Sequence, residues 1–488
     1  MSVIGRIVFM KLPTNKTKIV CTIGPASESP GVIEQMILAG MNIARLNFSH
    51  GTFTSHTKII ENIRSAARAT GTRVAIMADL PGPKIRIGQL AQEPIELKPG
   101  DTFTLTTEEI LGDLERASIS FARLPQAVRP GNTLFLNDGL IQLEVEKVKG
   151  NDVQCRVMSG GELRSRKGLN FPDIDLGISA FTDYDHECLK FALEQGVDAV
   201  SQSFVATAAD ITAVRKAAAA LGHSPFIIAK IERSRARDNI DAILDAADGI
   251  MVARGDLGVE IPIERIAIAQ KEIISRANLL GKPVITATQM LESMAGNRRP
   301  TRAESTDVAN AIIDGTDCVM LSEESAMGMY PVEAVAMLAK IAAAIEPNHT
   351  RSSVIDVLKI NGQDESFNLR DLISLSVGAV LEQISPAVVI VPSRSGASAR
   401  SITRFRIPVW IVAVSSKEKT CRQLQFSYGV YPFHEPEHPE NWNAFARQWL
   451  ELYGVDGNLV VLTEGPSSLH PDANHRMEII DLSRGIQI

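Results

Sequence analysis

Charged side chains follow two short apolar runs near the middle of the chain, where they could act together on one substrate. The runs cover 226–229 and 249–252, and a segment with helical apolar spacing lies between them. The residues that follow the runs are Lys230, Glu232, Arg254 and Asp256. In a barrel of parallel strands, catalytic groups lie at the carboxyl ends of the strands. The spacing therefore predicts one cluster in which an ammonium group faces two carboxylates.

Polar side chains also follow other apolar runs that we interpret as strands. In chain order they are Arg45, Asn47, Ser49 and His50; Asp79, Lys84 and Arg86; Ser203; Thr288; and Ser322, Glu323 and Glu324. Two carboxylates with hydroxyls suit Mg²⁺, which also binds water and substrate phosphate. Several arginine and lysine groups at one mouth suit a phosphoryl group, whose charge is neutralised during transfer. Taken alone, each of these residues is more often a solvated or ion-paired group; their convergence favours a functional site.

The elements that must position these groups alternate between apolar runs and amphipathic helices. Eight runs resemble buried parallel strands: 18–22, 41–46, 73–78, 197–201, 226–229, 249–252, 284–287 and 317–321. A helical pattern follows each run. Eight such units are typical of an α/β protein with a (β/α)8 TIM barrel, and the alternative is an open doubly wound sheet.

A different periodicity separates the third strand from the fourth. Between about 81 and 172, apolar residues such as Phe103 and Leu105 recur at every second position, and turn signals bound the runs. This pattern predicts a small β-barrel domain inserted after strand 3. We divide the chain into an N-terminal segment (1–17), the barrel (18–85 and 172–346), the inserted domain (86–171), a linker near 347–368 and a C-terminal α/β domain (355–488).

The composition indicates a globular protein with a large core. The chain has 488 residues, of which 45% are hydrophobic and 22% charged, and a formal net charge of −7. This charge argues against nucleic-acid binding, and no run reaches the roughly 18 apolar residues of a membrane span. The start lacks a secretory signal, with either Met1 or Met10 as the natural first residue. The five scattered cysteines predict reduced core thiols in a cytoplasmic protein.

Five long motifs resemble the pyruvate kinase family. They are TKIVCTIGPAS at 17–27, MNIARLNFSHG at 41–51, KIE with DGIMVARGDLGVEIP within 230–262, KPVITATQMLESM at 282–294 and RPTRAESTDVANAIIDGTDCVMLS at 299–322. The resemblance implies transfer of the phosphoryl group of phosphoenolpyruvate to ADP, which gives pyruvate and ATP in glycolysis. It further implies a homotetramer, an inserted domain that acts as a lid, and a regulatory C-terminal domain.

The same resemblance implies roles for the residues around the transferred group. Glu232 and Asp256 match the family's ligands of Mg²⁺ or Mn²⁺. Lys230 matches the lysine that stabilises the transferring phosphoryl group and the enolate, and Arg45 matches the arginine on the phosphoryl group.

Further roles follow for substrate and nucleotide. The backbone of Gly255 and Asp256, with Thr288, matches the group that holds the substrate carboxylate, and Thr288 with Ser322 matches a proposed proton relay to the enolate. The residues that match nucleotide contacts are His50, Arg86 and Lys167.

Two departures from the family pattern affect these expectations. Many members bind K⁺ through residues that match Asn47, Ser49, Asp79 and a threonine, but Leu80 replaces that threonine here. Lys84 occupies a position where K⁺-binding members have glutamate, so we expect its ammonium beside Asp79 to replace K⁺ and to make activity independent of this ion. The second departure is the run 322–325, Ser-Glu-Glu-Ser, which we expect to tune the site without abolishing it.

A loop in the C-terminal domain resembles the family's sugar-phosphate effector loop. Its residues are Ser393, Arg394, Ser395, Gly396, Ala397 and Ser398. Hydroxyls and N–H groups at a helix start can hold phosphate, and an ordinary capped helix is the alternative. The partner loop at 464–468 lacks the usual Trp/Arg pattern, which leaves the effector open.

Two other functions are compatible with parts of this pattern. One is a Mg²⁺-dependent barrel enzyme with a pyruvate enolate, such as an aldolase or a phosphoenolpyruvate mutase, but it would need neither Arg86 and Lys167 nor a lid. The other is a metabolite sensor without turnover, which the intact set Lys230, Glu232, Asp256 and Arg45 disfavours.

Overall fold

The chain begins with parallel strands that alternate with helices. The computed structural model describes residues 11–348, 369–466 and 474–483. Its first elements are β1 (Lys18–Thr22), α1 (Pro30–Ala39), β2 (Ile43–Asn47), α2 (Phe53–Thr70) and β3 (Ala75–Leu80). The strand β3 begins and ends two residues later than predicted, so that Asp79 lies inside a strand whose residues are all buried. This shift places a carboxylate in the barrel wall.

The insertion between β3 and the next barrel strand is mostly β-structure. Its elements are β4 (Ile95–Leu97), β5 (Thr102–Thr106), β6 (Arg116–Ser118), α3 (Leu124–Ala127), β7 (Thr133–Leu136), β8 (Ile141–Lys149), β9 (Asp152–Ser159), β10 (Gly161–Leu163) and β11 (Leu169–Asn170). The alternation is confirmed, because Phe103 and Leu105 are fully buried. The expected small barrel is corrected to a six-stranded sheet (β11-β7-β8-β9-β5-β6) and a two-stranded sheet (β10-β4).

The remaining barrel elements resume the strand–helix alternation. They are α4 (Asp183–Glu194), β12 (Ala199–Gln202), α5 (Ala208–Ala220), β13 (Phe226–Ile231), α6 (Ser234–Asp238), α7 (Ile240–Ala246), β14 (Gly249–Ala253), α8 (Arg254–Glu260), α9 (Ile266–Leu279), β15 (Val284–Ala287), α10 (Arg302–Ile313), β16 (Cys318–Leu321), α11 (Glu323–Ala326) and α12 (Pro331–Ile345). The order β1-β16-β15-β14-β13-β12-β3-β2 closes on itself. The predicted (β/α)8 barrel is therefore confirmed, and the open sheet is excluded.

Two local features differ from the expected helices. The helix predicted between the two central runs, at about 238–247, is observed as α7, and the short helix α6 precedes it without having been predicted. The helix α8 was not predicted, because its sequence contains two glycines and only two strongly apolar residues. It begins directly at the end of β14, so Gly255 and Asp256 lie in its first turn. This helix brings backbone N–H groups to the strand ends.

The amino-terminal end of the barrel is closed by a residue of the C-terminal domain. Phe426 is fully buried and belongs to the cluster of side chains inside the barrel. Its ring stacks on Phe226 of β13 with a centroid distance of 5.5 Å. The barrel interior is therefore a packed core on this side, and polar chemistry is confined to the other end.

The C-terminal domain is a five-stranded α/β unit. Its elements are α13 (Leu369–Val380), β17 (Val388–Pro392), α14 (Ala397–Thr403), β18 (Trp410–Ser415), α15 (Glu418–Gln423), β19 (Val430–His434), α16 (Trp442–Tyr453), β20 (Leu459–Glu464) and β21 (Arg476–Asp481). The strand order is β19-β18-β17-β20-β21, with β21 antiparallel. Most of the predicted linker, residues 349–368, lies outside the described residues, as do 1–10 with Met1 and Met10.

Two further properties concern the thiols and membrane spans. All five cysteines are buried and free, which confirms their prediction as core residues. No helix in the described ranges is both long and apolar enough to cross a membrane.

Candidate active site

Asp79 lies at the centre of a hydrogen-bonded network at the carboxyl ends of the barrel strands. One of its oxygens, Oδ2, accepts from Arg45 Nε (2.9 Å) and from Lys230 Nζ (3.3 Å). The other oxygen, Oδ1, accepts from the Ser201 hydroxyl at 2.6 Å. Arg45 is held from its other side, since Nη1 donates to Thr22 Oγ1 at 2.8 Å. The network joins side chains from β1, β2, β3, β12 and β13.

Lys230 connects Asp79 to the second carboxylate. Its ammonium lies 2.9 Å from Glu232 Oε1 and donates to Ser203 Oγ at 2.7 Å. The remaining oxygen of Glu232 accepts from the Phe204 N–H at 2.7 Å. Lys230 is 9% exposed and Glu232 is 2% exposed, so these charges are buried and the contacts between them are little screened by solvent. The predicted meeting of Lys230 and Glu232 is what the structure shows.

The pKa directions at this network follow from burial and from the pairing of charges. Burial lowers the pKa of the Lys230 ammonium, but Asp79 and Glu232 outweigh this effect and raise it. Burial raises the pKa of Asp79, and Lys230 and Arg45 together reverse the shift and lower it. Lys230 and Asp79 therefore stay charged at neutral pH.

The pKa of Glu232 is raised, whereas the pKa of Asp79 is lowered. Burial raises the pKa of Glu232, Lys230 lowers it, and Asp256 raises it again, with a net increase. Asp256 therefore lies close enough for its charge to act on Glu232. A buried carboxylate whose ionisation is disfavoured by a second acidic group is an arrangement that a divalent cation stabilises. The residues able to hold a metal here are Glu232 and Asp256.

Thr288 contacts the first turn of α8. Its hydroxyl accepts from the Gly255 N–H (2.8 Å) and donates to the Ala287 carbonyl (2.6 Å). Thr288 has φ +69 and Gln289 has φ +53, which are left-handed conformations that side chains with a Cβ rarely adopt. Arg254 stabilises this turn, because its Nη2 donates to the Thr288 carbonyl at 2.7 Å while Nη1 pairs with Asp307 at 2.7 Å.

In the run 322–325, which departs from the family pattern, Glu324 and Ser325 hold the backbone around Ser322 through hydrogen bonds. The Glu324 carboxylate is 2% exposed and accepts from the Ser322 N–H (2.7 Å) and from the Leu291 N–H (3.1 Å). The Ser325 hydroxyl donates to the Thr22 carbonyl at 2.9 Å. Glu324 thus joins the segments that follow β15 and β16, which carry Thr288 and Ser322.

Basic side chains line the mouth of the site next to the insertion. His50 is exposed, and the partial burial of its ring together with Arg86, Lys84 and Arg45 lowers its pKa, so these four groups lie near one another. The backbone of Arg86 bridges to Gly168, directly after Lys167, and Arg86 Nη1 donates to the Arg166 carbonyl at 2.9 Å. The predicted nucleotide contacts are thereby brought to one side of the mouth.

The position of Lys84 differs from the expected one. Lys84 is exposed, and its Cε lies 3.4 Å from the point where a side chain at Gly168 would begin. The cations that contact Asp79 are Arg45 and Lys230 instead. Asn47 does lie opposite Asp79 in the β2–β3 register, and its Oδ1 accepts from the Ser49 N–H at 3.1 Å.

Three supporting residues were missed by the sequence analysis: Thr22, Ser201 and Phe204. Thr22 and Ser201 are polar residues near the carboxyl ends of mostly apolar runs, a signal that could have identified them. Phe204 carries no such signal, because it acts through its backbone N–H and has φ +57. Gly82 lies against it, with a Cβ there only 2.8 Å from the Phe204 ring.

The loop that resembles an effector site is closed by its own hydrogen bonds. Gly396, with φ +78, donates its N–H to Ser393 Oγ at 3.0 Å, and the Ser395 carbonyl accepts from Arg400 at 2.8 Å. The Arg394 carbonyl accepts from Thr420 at 2.8 Å. Ser398 lies in the first turn of α14. Of its partner loop, Ser467 and Ser468 lie outside the described residues.

The fold and the site define a class of protein. A closed (β/α)8 barrel whose mouth combines buried lysine and arginine with paired carboxylates is typical of enzymes that act on anionic substrates. Two family descriptions narrow this class: "Pyruvate kinase, barrel domain" matches residues 14–335, and "Pyruvate kinase, alpha/beta domain" matches 371–480. The chain belongs to the pyruvate kinase family.

Individual relatives agree with this assignment. The chain is 49% identical over 426 residues to a pyruvate kinase of Thermococcus litoralis. The matched region covers 87% of this chain and 90% of the relative. It is 44% identical to a pyruvate kinase of Geobacillus stearothermophilus, with 86% and 72% covered. The crystal structure of a pyruvate kinase from Cryptosporidium parvum superposes with a TM-score of 0.87 at 36% identity and 96% coverage of both chains. The protein is therefore a phosphotransferase, and the reaction of its family moves the phosphoryl group of phosphoenolpyruvate to ADP.

Proposed function

We propose that Lys230 and Arg45 bind the phosphoryl group of phosphoenolpyruvate during its transfer to ADP. The observation that carries this proposal is the buried network in which Asp79 holds both cations, with Arg45 Nε at 2.9 Å and Lys230 Nζ at 3.3 Å. Fixed cations in a water-poor site stabilise the charge that develops as the phosphoryl group leaves. Lys230 would also neutralise the enolate oxygen left on the substrate.

We further propose that Glu232 and Asp256 hold Mg²⁺ or Mn²⁺. The support is the raised pKa of Glu232, to which burial and Asp256 contribute, and the hard oxygen character of both groups. Substrate oxygens and water would complete the coordination of the ion. When bound, the ion would polarise the substrate oxygens.

We propose that the substrate carboxylate and the enolate are bound by the residues that follow β14, β15 and β16. Gly255 and Asp256 in the first turn of α8 would direct their N–H groups at the carboxylate, aided by the helix N-terminus. Thr288, now bonded to the Gly255 N–H at 2.8 Å, would exchange that contact for the substrate. Thr288 and Ser322 follow adjacent strands and would pass a proton to the methylene carbon of the enolate.

His50, Arg86 and Lys167 would bind ADP or ATP. Their support is the backbone bridge between Arg86 and Gly168, which holds the first and last segments of the insertion together beside the mouth. The insertion (86–171) would act as a lid that excludes water while the phosphoryl group moves. Without such exclusion, water would compete with ADP for the phosphoryl group.

We also propose that K⁺ is not required. Leu80 removes one oxygen ligand from the region of Asn47, Ser49 and Asp79, and Arg45 and Lys230 already supply positive charge to Asp79. Lys84 adds a further cation at the mouth, close enough to lower the pKa of His50. A purified enzyme with a strict K⁺ requirement would contradict this proposal.

We also propose how the protein is regulated and assembled. The loop with Ser393, Arg394, Ser395, Gly396 and Ser398 would bind a phosphorylated effector through hydroxyls and the start of α14. A homotetramer is supported by large apolar side chains exposed on the barrel, such as Met329 (71%) and Leu38 (74%). The five buried thiols suit the reducing cytoplasm.

One assay tests the proposed activity and separates it from the alternatives. Pyruvate formation is coupled to lactate dehydrogenase, with phosphoenolpyruvate and ADP both required for the signal. We expect turnover with Mg²⁺ or Mn²⁺, no turnover after chelation, and equal rates with K⁺ and with a tetraalkylammonium salt. Pyruvate formation without ADP, or an inactive folded protein, would contradict the assignment. Adding a panel of sugar phosphates and AMP identifies the effector, and mass photometry gives the subunit number.

A further inference from the structure

The segments that lead into and out of the insertion are joined by one buried carboxylate. Asp185 is fully buried and lies in the first turn of α4, the helix that follows the insertion. Its Oδ2 accepts from the N–H (2.8 Å) and the hydroxyl (2.6 Å) of Thr182, which caps the helix. Its Oδ1 accepts from the Gly82 N–H at 2.8 Å. Because Gly82 lies two residues beyond β3, at the entrance to the insertion, one side chain holds both ends of the insertion.

A helix cap alone does not account for the position of Asp185. The helix α5 begins with the same kind of capping box, in which Asp210 Oδ2 accepts from the Thr207 N–H at 2.9 Å. Asp210 is less buried than Asp185, so a cap does not need a fully buried carboxylate. Burial and, to a smaller extent, the charge of Asp79 raise the pKa of Asp185, which shows that its ionised form is costly here. The bond to Gly82 is the contact that distinguishes Asp185 from an ordinary capping residue.

The backbone of Gly82 packs directly against the two residues that follow β12. Gly82 has φ +65, and a Cβ on it would lie 2.8 Å from the Phe204 ring and 3.2 Å from the Ser203 carbonyl oxygen. Contacts this short leave no room between the entrance loop and the end of β12. The hydrogen bond from Gly82 to Asp185 therefore fixes the loop in the position that Ser203 and Phe204 pack against.

The segment 201–204 in turn holds three charged groups of the candidate active site. Each of three of its residues bonds to one charged side chain: Ser201 to Asp79 (2.6 Å), Ser203 to Lys230 (2.7 Å) and Phe204, through its N–H, to Glu232 (2.7 Å). The fourth residue, Gln202, is fully buried and donates to the Ala180 carbonyl at 2.7 Å, in the segment that leads from the insertion to α4. A shift of 201–204 would therefore displace the charged groups and the insertion together.

We propose that Asp185 is a positioning residue for phosphoryl transfer. Through Gly82 it fixes the residues that follow β12, and these residues set the places of Lys230 and Glu232 relative to the insertion. Loss of the carboxylate leaves the Gly82 N–H without its acceptor, so the loop moves away from Phe204 to find another one. A displacement of catalytic groups by about 1 Å can lower the rate by about 10², which makes such a movement measurable. The inference rests on the proposed roles of Lys230 and Glu232.

Three variants separate the bond to Gly82 from the helix cap. Asp185→Ala removes both, whereas the matched control Asp210→Ala removes a cap of the same type from α5. Thr182→Val removes the hydroxyl partner of Asp185 and leaves the bond to Gly82 in place. The coupled pyruvate assay, made below the unfolding midpoint of each protein, gives kcat and the Mn²⁺ concentration at half-maximal rate. Turnover of the parent protein tests the proposed function, and the ratio of each variant to the parent tests Asp185 separately.

We expect Asp185→Ala to lower kcat at least about tenfold and to raise the half-saturating Mn²⁺ concentration at least about threefold, because Lys230 and Glu232 are both displaced. Asp210→Ala and Thr182→Val should change each value less than about twofold. Values for Asp185→Ala within about twofold of the parent, or an equal loss in Thr182→Val, would overturn the proposal.

Hydrogen exchange at the Gly82 N–H of the unmodified protein gives a second measurement that needs neither a variant nor activity. Exchange at least about 100-fold slower than in an unstructured peptide supports the bond to Asp185, since a bonded N–H exchanges only when the local structure opens. Exchange at the rate of an unstructured peptide would refute the bond and with it the positioning role of Asp185.

Discussion

The variant Lys230→Met removes the ammonium group between two buried carboxylates while it keeps most of the side-chain volume. Three contacts disappear: those to Glu232 (2.9 Å), to Asp79 (3.3 Å) and to Ser203 (2.7 Å). Asp79 keeps Arg45 and Ser201 as partners, but Glu232 keeps only the Phe204 N–H. Breaking a buried ion pair in this way costs about 3–5 kcal/mol of stability.

The loss of stability in Lys230→Met should depend on pH, and the pKa of Glu232 decides whether it grows or shrinks as the pH rises. Its pKa is already raised in the folded protein, and loss of Lys230 removes the cation that lowers it. The folded variant then retains a proton that the unfolded chain releases, so its stability falls as the pH rises above the ordinary glutamate pKa of 4.5, at which the unfolded chain ionises. Thermal unfolding midpoints of parent and variant across this range measure the effect. A difference in midpoint that is independent of pH would contradict the account of Glu232.

Turnover should fall more than stability explains. One preorganised group on a developing charge contributes about 10²–10³ in kcat, and Lys230 acts on both the phosphoryl group and the enolate, so we expect a loss of at least about 10³. The coupled pyruvate assay is made below the unfolding midpoint, with Lys216→Met, at an exposed position of α5, as the matched control. A folded Lys230→Met enzyme with a rate within tenfold of the parent would refute the role of Lys230.

Three further predictions concern other parts of the barrel. Burial raises the pKa of Glu260 to about 7, against its ordinary 4.5, so ionisation of Glu260 costs the folded state up to about 3 kcal/mol above pH 7. Glu260→Gln should therefore raise the unfolding midpoint in metal-free buffer at pH 8 but not at pH 5. Equal effects at both pH values would reject this explanation. Gly82→Ala places a Cβ 2.8 Å from the Phe204 ring at a backbone φ of +65, and it should lower both stability and kcat. The control Gly71→Ala, at φ +64, has no neighbour within 4 Å and should cost only about 1 kcal/mol of stability. Similar losses of stability in the two variants would contradict the packing argument. Phe426→Ala removes the ring that closes the barrel and should lower the free energy of unfolding, measured in urea, by about 3–5 kcal/mol. A loss below about 1 kcal/mol would show that the contact with Phe226 is unimportant.

The alternation of apolar and polar residues determined the architecture. Runs such as 18–22 and 284–287 are the observed strands β1 and β15 without any shift, and the period of two marks the insertion. The strand ends also determined which charged groups face the mouth, because neighbouring parallel strands carry their carboxyl ends to one edge. Lys230, Glu232 and Arg45 could be assigned to the site in this way, because the local sequence shows where each buried strand ends.

The partners of these groups were decided by the tertiary structure alone. Arg45 and Asp79 are 34 residues apart, and Lys230 and Asp79 are 151 apart, so no local pattern shows that one carboxylate holds both cations. The displacement of Lys84 from Asp79, the left-handed turn at Thr288 and the closure of the barrel by Phe426 likewise depend on how remote segments pack. Periodicity records which face of an element is buried, whereas hydrogen bonds and cavities depend on distances that only the closed barrel and its docked domain define.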